Sequence, residues 1–86
     1  MKESEVQRLI VKRLEAAGWL VVKVIQTTLN GWPDLQAHKE GRTVFIEVKA
    51  AAGKVAPLQQ YRIDKLIAQG FEVIIARHPD HIKHLC

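Results

Sequence analysis

The feature that most constrains this chain is segment 43–49, an apolar run that carries two charges of opposite sign. Its sequence is Thr-Val-Phe-Ile-Glu-Val-Lys. Alternate side chains of an extended strand share a face, so Glu47 and Lys49 lie together while the even-numbered apolar residues fill the other face. Removing charged groups from water is costly unless they are paired, hydrogen-bonded or bound to a metal. The segment therefore predicts a buried strand whose charged face needs a compensating partner.

A second carboxylate precedes this strand in segment 31–34, Gly-Trp-Pro-Asp. If Asp34 and Glu47 converge beside Lys49, they supply hard oxygen ligands for Mg²⁺ or Mn²⁺ near a phosphodiester, because Mg²⁺ takes few carboxylates and completes its shell with water and phosphate oxygens. The lysine can then position or deprotonate the attacking water, or neutralise charge on the pentacovalent phosphate. The alternative without function is a solvated Glu47–Lys49 pair, with Asp34 as a turn residue after proline.

Length and composition limit the remaining possibilities. The 86 residues predict a single domain, 1–86, with one modest core. The lone Cys86 cannot form an internal disulfide, and there is neither a signal peptide nor an apolar run of membrane-spanning length. We therefore expect a cytoplasmic protein without a membrane partner. The net charge of +4 favours a polyanionic partner.

The spacing of apolar residues predicts the order αβββαβ. Helical spacing recurs in two segments, and the second begins at Pro57 and carries the apolar stripe Ile63, Leu66 and Ile67. Runs rich in Val and Ile predict strands, of which the first is expected to be mostly buried. The helices are predicted over 3–17 and 57–70, and the strands over 19–25, 34–38, 43–50 and 71–76.

Two connections determine how these elements assemble. Segment 39–42, Lys-Glu-Gly-Arg, predicts a hairpin turn. If the turn centres on Glu40 and Gly41, Asp34 lies opposite a position near Glu47, on the same face. The helix before the last strand implies a right-handed parallel crossover. We expect an α/β sandwich around a mixed sheet.

Two further groups of side chains are open to a functional interpretation. Three histidines and a cysteine near the C-terminus lack the paired spacings typical of zinc sites, so we expect a solvated turn there. Of the two tryptophans, Trp19 is expected in the core, and Trp32, in the loop before the candidate site, is expected to contact substrate or a partner subunit. The C-terminal residues in question are His78, His81, His84 and Cys86.

Together these motifs resemble the VRR-NUC family of the PD-(D/E)xK nuclease superfamily. The superfamily pattern stands here as Pro33-Asp34 followed by Glu47-Val48-Lys49. Segments 3–7 and 53–59 look like further parts of the VRR-NUC family, so the resemblance covers nearly the whole chain. It implies a restriction-endonuclease-like αβββαβ core with a mixed β-sheet flanked by helices. One departure is Ala56, where the family more often has a hydroxyl residue that caps the next helix.

The resemblance implies a metal-dependent endonuclease that hydrolyses DNA phosphodiesters. Asp34 and Glu47 would hold one or two Mg²⁺ or Mn²⁺ ions, with the Val48 carbonyl as a backbone ligand. Lys49 would act on the attacking water, and Gln59 would position it. The products would carry 5′ phosphates.

Two assignments leave alternatives open. Gln59 matches the family's glutamine after the proline, although a helix-capping amide is the simpler interpretation, and Gln60 is the second candidate. Glu3 is implied as a third acidic metal ligand on the first helix, with Glu5 as the alternative. Both glutamates also fit the ordinary preference for acidic residues in a first helical turn.

The resemblance also bears on the substrate and assembly. Stand-alone family members are compact homodimers that act on four-way junctions, so branched DNA and a homodimer are expected, including for a phage-encoded protein acting in the host cytoplasm. One alternative is a non-catalytic nucleic-acid-binding subunit, which would lose affinity with salt but need no divalent metal. The other is a restriction-type enzyme, which would cut plain duplex into discrete fragments.

Overall fold

The chain folds into two α-helices, four β-strands and a C-terminal 3₁₀ helix. The computed structural model describes all residues, 1–86. The elements in chain order are α1 (Glu3–Ala16), β1 (Leu20–Lys23), β2 (Leu35–Lys39), β3 (Arg42–Val48), α2 (Pro57–Ala68), β4 (Glu72–Ala76) and the 3₁₀ helix (Pro79–Leu85). The predicted α/β class and the order αβββαβ are confirmed. No helix combines the length and apolarity that crossing a membrane requires.

The strands form one mixed sheet in the order β1-β2-β3-β4. β1 and β2 are antiparallel, as are β2 and β3, whereas β3 and β4 are parallel through the α2 crossover. The β2–β3 hairpin turns at Glu40 and Gly41, which have positive φ angles of 51° and 78°, as expected for a two-residue turn that matches strand twist. Leu35 pairs with Ile46, so the preceding Asp34 falls beside Glu47 as predicted.

The main core lies between α1 and one face of the sheet. α1 contributes Val6, Ile10 and Leu14, which are spaced by four and are fully buried. Each such side chain stabilises the fold by roughly 1.5–3 kcal/mol through the apolar surface that it removes from water. The sheet residues that pack in this cluster are Leu35, Ala37, Val44, Ile46, Val48 and Ala76.

α2 packs against β4 and buries only part of its predicted stripe. Ile63 is 3% exposed and Leu66 is also buried, but Ile67 is 53% exposed. The prediction for Ile67 was therefore wrong. Residues 63 and 66 lie on the side of the helix that faces the sheet, and Ile67 is rotated a further 100° or so toward solvent. A helix buries only the side that faces the sheet, so one edge of a stripe as wide as this one stays in solvent.

The prediction that the first strand is mostly buried was also wrong. β1 is shorter than expected, and its side chains Leu20 and Val22 are 67% and 42% exposed. β1 is an edge strand with β2 as its one neighbour. α1 packs on the buried face, while α2 packs against β4 at the far side of the sheet. The remaining face of β1 is left uncovered.

The C-terminus is packed rather than a solvated turn, which corrects the prediction for this segment. Ile82 and Leu85 are buried in the main core. Their spacing of three residues suits the 3₁₀ helix, in which side chains three apart lie in register. Trp19 is buried in the core as expected, and its Nε1 donates a hydrogen bond of 2.9 Å to the Leu85 carbonyl. The histidines of this segment are exposed, so the apolar residues between them determine its packing.

Ile63 and Ile67 offer a matched test of this packing. Ile63→Ala should lower the free energy of unfolding by about 2–5 kcal/mol, because it leaves a cavity in a buried site. Ile67→Ala removes the same atoms from an exposed site and should change it by less than about 0.5 kcal/mol. Urea denaturation followed by circular dichroism measures both. Equal losses would contradict the orientation of α2.

Candidate active site

The β2–β3 hairpin places the two predicted carboxylates side by side. Asp34 directly precedes β2, and its Oδ2 accepts a hydrogen bond of 2.9 Å from the Val48 N–H. This bond crosses between the two strands and fixes the Asp34 side chain against the end of β3. The Asp34 carbonyl in turn accepts a bond of 2.8 Å from the Val24 N–H. Asp34 is therefore held from both neighbouring segments.

Glu47 is the one buried charged residue of the molecule, with 1% of its surface exposed. Its Oε2 lies 3.3 Å from the Lys49 Nζ and accepts a hydrogen bond of 3.2 Å from the Gln59 Nε2. Lys49 is positioned by the sheet, since its N–H donates to the Ala76 carbonyl on β4. The structure thus brings together the predicted residues Asp34, Glu47, Lys49 and Gln59.

The electrostatics of this group favour a proton or a cation. Burial, and after it the charge of Asp34, raise the pKa of Glu47 from its ordinary 4.5 to about 7. Lys49 opposes this change through its hydrogen bond and charge, and Glu3 adds a smaller upward contribution. The single lysine therefore does not compensate for burying Glu47 beside a second carboxylate.

Gln59 serves as a helix cap and as a contact of Glu47 at once. Its Oε1 accepts a bond of 2.9 Å from the Ala56 N–H, while its Nε2 donates to Glu47. The helix-capping interpretation is therefore confirmed, and the expected role of Gln59 in positioning water stays a prediction. Ala56 itself makes no side-chain cap, and Gln59 provides half of a capping box in its place. Gln60 bonds Asp64 on the exposed side of α2 and does not reach Glu47.

The first helix places Glu3 and Glu5 differently. Glu5 turns back to cap the helix, with its Oε1 accepting a bond of 3.4 Å from the Lys2 N–H. Glu3 is exposed, and its charge contributes to the raised pKa of Glu47. However, no group of three or more acidic, histidine or cysteine side chains converges closely enough to hold a metal ion. Glu3 lies at the exposed start of α1, and its expected role as a direct ligand stays a prediction.

The carboxylates of Asp34 and Glu47 fit a hard divalent cation that takes its other ligands from water and phosphate. Their contacts involve Asp34 Oδ2 and Glu47 Oε2, and no protein donor bonds the other oxygen of either side chain. The N–H and carbonyl of a strand residue point to the same side, so the Val48 carbonyl faces the strand edge where Asp34 lies. Two carboxylate oxygens and a carbonyl are suitable ligands for Mg²⁺ or Mn²⁺.

The loop before Asp34 is held against the start of α2. Gly31 has a φ angle of 82°, and a Cβ there would lie 2.9 Å from the Leu58 Cγ. Arg62 also donates a bond of 2.9 Å to the Asn30 carbonyl. Trp32 is half-buried and stacks edge-on against Phe45, at 5.6 Å between ring centres. Trp32 thus has a packing role here, and its expected contact with substrate or a partner stays a prediction.

Arg77 fixes the segment between Lys49 and α2, a role that the sequence did not predict. Its Nη1 donates to the Ala50 carbonyl at 3.1 Å and to the Gly53 carbonyl. Arg77 follows β4 directly, and the parallel pairing of Val48 with Ala76 places it beside Lys49. A positively charged residue directly after an apolar strand was the available signal in the sequence. Its partners are backbone carbonyls, which no residue pattern identifies.

Glu47→Gln tests the energetic consequence of the buried carboxylate. The folded-state pKa of about 7 lies above the ordinary 4.5, so the contribution of Glu47 to stability is highest below pH 4.5 and falls as the pH rises toward 7. The difference corresponds to about 3 kcal/mol. In chelator, Glu47→Gln should therefore unfold at higher urea than the native chain at pH 8, and the gain should vanish near pH 4.5.

Glu72→Gln provides a control of opposite sign. Arg42 bonds Glu72 and holds the pKa of that carboxyl below its usual range, so removing the charge should lower stability at pH 8. A Glu47→Gln variant that is less stable than the native chain at pH 8 would contradict the interpretation that burial destabilises the charged form of Glu47.

The comparisons with known proteins agree with this geometry. The sequence profile of the VRR-NUC domain matches residues 1–78. The chain is 28% identical over 81 residues to "Putative nuclease p44" of Acyrthosiphon pisum secondary endosymbiont phage 1, covering 93% of this chain and 87% of that protein. A solved structure of a VRR-NUC domain superposes with a TM-score of 0.87 at 30% identity, covering 99% of this chain and 94% of the other. The chain therefore belongs to the VRR-NUC domain family and is a nuclease.

Proposed function

We propose that this nuclease is a metal-dependent endonuclease that hydrolyses DNA phosphodiesters with Asp34, Glu47, Lys49 and Gln59. The observation that carries the proposal is the convergence of Lys49 and Gln59 on the buried carboxylate of Glu47, beside Asp34. A purely structural ion pair would not need a second carboxylate next to it. Two neighbouring carboxylates without enough positive charge beside them form the arrangement with which a phosphodiesterase binds metal and phosphate.

Asp34 and Glu47, with the Val48 carbonyl, are the proposed ligands of Mg²⁺ or Mn²⁺. The bound ion would supply Lewis-acid stabilisation of the charge that develops on the phosphate. Glu3 is the proposed third acidic ligand, because its charge already acts on Glu47. The fixed orientation of Asp34 by the Val48 N–H supports a preorganised pair of ligands.

Lys49 and Gln59 act on the water and the phosphate. Lys49 is largely buried, and the same hydrogen-bonded contact that holds it to Glu47 keeps its amine beside the proposed reaction centre. There it can orient the attacking water or stabilise negative charge on the phosphate. As the water oxygen bonds to phosphorus, the bond from phosphorus to the 3′ oxygen breaks. The products are a 5′ phosphate and a 3′ hydroxyl.

Branched DNA, with a four-way junction as the leading candidate, is the proposed substrate. The positive net charge of +4 supports a polyanionic partner. Neither α-helix has the arrangement of a recognition helix in the major groove. Specificity is then more readily achieved through the shape of the DNA backbone than through base edges.

A homodimer is the proposed assembly of this protein. The uncovered face of β1 exposes Leu20 and Val22, and the following loop exposes Ile25 and Leu29. Val22, Ile25 and Leu29 line one groove of about 570 Å³ together with Trp32. Contiguous apolar surface of this kind marks an interaction site. A two-fold contact through this face would cover it and give the two active sites that two strands of a junction require.

A non-catalytic nucleic-acid-binding subunit is the alternative. Such a module has no need for a buried carboxylate pair, and its affinity for DNA would rise or stay unchanged in Asp34→Ala. The endonuclease requires Asp34, so the same substitution would abolish cleavage. A restriction-type enzyme would be distinguished by discrete fragments from plain duplex.

Cleavage of end-labelled four-way junction, flap and linear duplex DNA tests the proposal. We expect paired cuts near the junction centre with Mg²⁺ or Mn²⁺ and none with chelator. Lys49→Ala should reduce the single-turnover rate at least about 100-fold, the usual effect of removing a group that stabilises the transition state. The matched control is Lys54→Ala, which removes an exposed lysine from the next turn and should stay within a few-fold of the native rate.

Each outcome of this assay has a definite meaning. Metal-dependent cutting of duplex alone would keep the chemistry and reject the junction preference. Binding of DNA without cleavage by folded protein would support the non-catalytic module. Equal rates for Lys49→Ala and the native chain would reject the proposed role of that lysine.

The dimer is tested by Val22→Lys, which places a charge on the uncovered face without disturbing the core. Lysine is well tolerated on an edge strand. Sedimentation equilibrium should give twice the chain mass of 9.7 kDa for the native protein and the single mass for the variant. Ala68→Lys, on the exposed side of α2, is the control and should remain dimeric. A native protein of single mass at all concentrations would overturn the dimer.

A further inference from the structure

A polar groove runs between the outer side of α1 and the edge strand β1, apart from the catalytic carboxylates. Its volume is about 540 Å³. The positive side chains that line it are Arg8 and Lys12 on α1 and Lys23 on β1. Ser4 and Gln7 add a hydroxyl and an amide at one end, and Glu15 lies at the other. The lining is thus basic over most of its length.

These three basic side chains have no partner within the protein. Arg13 pairs with Asp80 and Arg42 pairs with Glu72, but Arg8, Lys12 and Lys23 form no ion pair or side-chain hydrogen bond. All three are exposed. Their charges are therefore available to an external anion.

The spacing of Arg8 and Lys12 works against the stability of α1. Residues four apart on a helix are neighbours, and like charges at this spacing destabilise it. Lys23 adds a third positive charge across the groove. An external anion between these side chains would relieve this repulsion.

The groove begins at the candidate active site. Ser4 and Gln7 are in the first turns of α1, next to Glu3, whose charge raises the pKa of Glu47. On the opposite wall, Lys23 pairs with Leu35, the residue after Asp34. The Val24 N–H, one residue on, bonds the Asp34 carbonyl at 2.8 Å. One end of the groove therefore adjoins the proposed catalytic centre.

We propose that this groove binds the sugar-phosphate backbone of the cleaved DNA strand where that strand leaves the active site. The proposal rests on the proposed function and adds the path of the substrate. From Ser4 to Lys12 the helix rises roughly 12 Å, which matches about three nucleotide steps of one B-DNA strand. Arg8 and Lys12 contact phosphates from one wall and Lys23 from the other. The acidic Glu15 ends the track, because it repels a further phosphate.

The salt dependence of DNA binding tests the track. We compare Arg8→Gln/Lys12→Gln with the control Lys65→Gln/Lys83→Gln, which removes two exposed lysines from α2 and the 3₁₀ helix. Both variants lose two positive charges. Fluorescence anisotropy with a labelled four-way junction, in chelator and between about 50 and 200 mM salt, gives Kd for each.

The groove variant should lower the slope of log K against log salt by about 1.8, since each lost phosphate contact contributes about 0.9. This corresponds to roughly 60-fold weaker binding at 0.1 M salt. Lys23→Gln should lower the slope by about 0.9. The control should change the slope by less than half as much as the groove variant. The melting temperature of the groove variant should be unchanged or higher, because the repulsion on α1 is removed.

Equal slopes for the groove and control variants would overturn the track, whether both fall or neither does. A lowered melting temperature would overturn it as well, since the side chains would then serve stability. Cleavage with Mg²⁺ by the native chain is measured separately. Loss of slope in the groove variant without any native cleavage would reject the proposed nuclease chemistry and retain the track as a DNA-binding surface. Cleavage with an unchanged slope would do the reverse.

Discussion

The burial of the Glu47 carboxylate in β3 is the constraint on which the rest of the structure depends. A charged group at this depth requires neighbours that bond it or neutralise it. Lys49, directly after the strand, and Gln59, at the start of α2, are these neighbours. The hairpin brings a second carboxylate, Asp34, alongside, and its charge adds to the cost of burying Glu47. The hairpin, the crossover helix and the sheet are therefore each needed to form this one group.

The main core stabilises the fold and so offsets the free-energy cost of burying Glu47. α1 and the opposite sheet face bury aliphatic side chains without any charged residue, so Glu47 is attached to a rigid strand on one side and has polar neighbours on the other. The raised pKa of Glu47 indicates that its neighbours do not fully compensate for its burial. Sites with an uncompensated buried charge are typically functional. A cation that binds there neutralises the charge and so stabilises the folded protein.

The extent to which the sequence predicted this structure follows from the range of the interactions involved. Alternation along β3 and the turn residues Glu40 and Gly41 are local signals, and they correctly placed Asp34 beside Glu47. The exposure of β1 and Ile67 depends on which parts of the sheet the two helices cover, which is a property of the assembled layers. The packing of the C-terminal segment was masked by its histidines. Arg77 bonds backbone carbonyls, and a carbonyl carries no signature in the sequence.

Gln59 shows how folding and the candidate chemistry become dependent on one another. Its carbonyl oxygen accepts from the Ala56 N–H at the start of α2, and its amide nitrogen donates to Glu47. A glutamate could accept from Ala56 but could not donate to Glu47, and it would add a third negative charge to the pair that already raises the pKa of Glu47. An alanine would leave both groups without this partner. Glutamine is thus suited to both contacts, and the position at which α2 begins is tied to the orientation of the buried carboxylate.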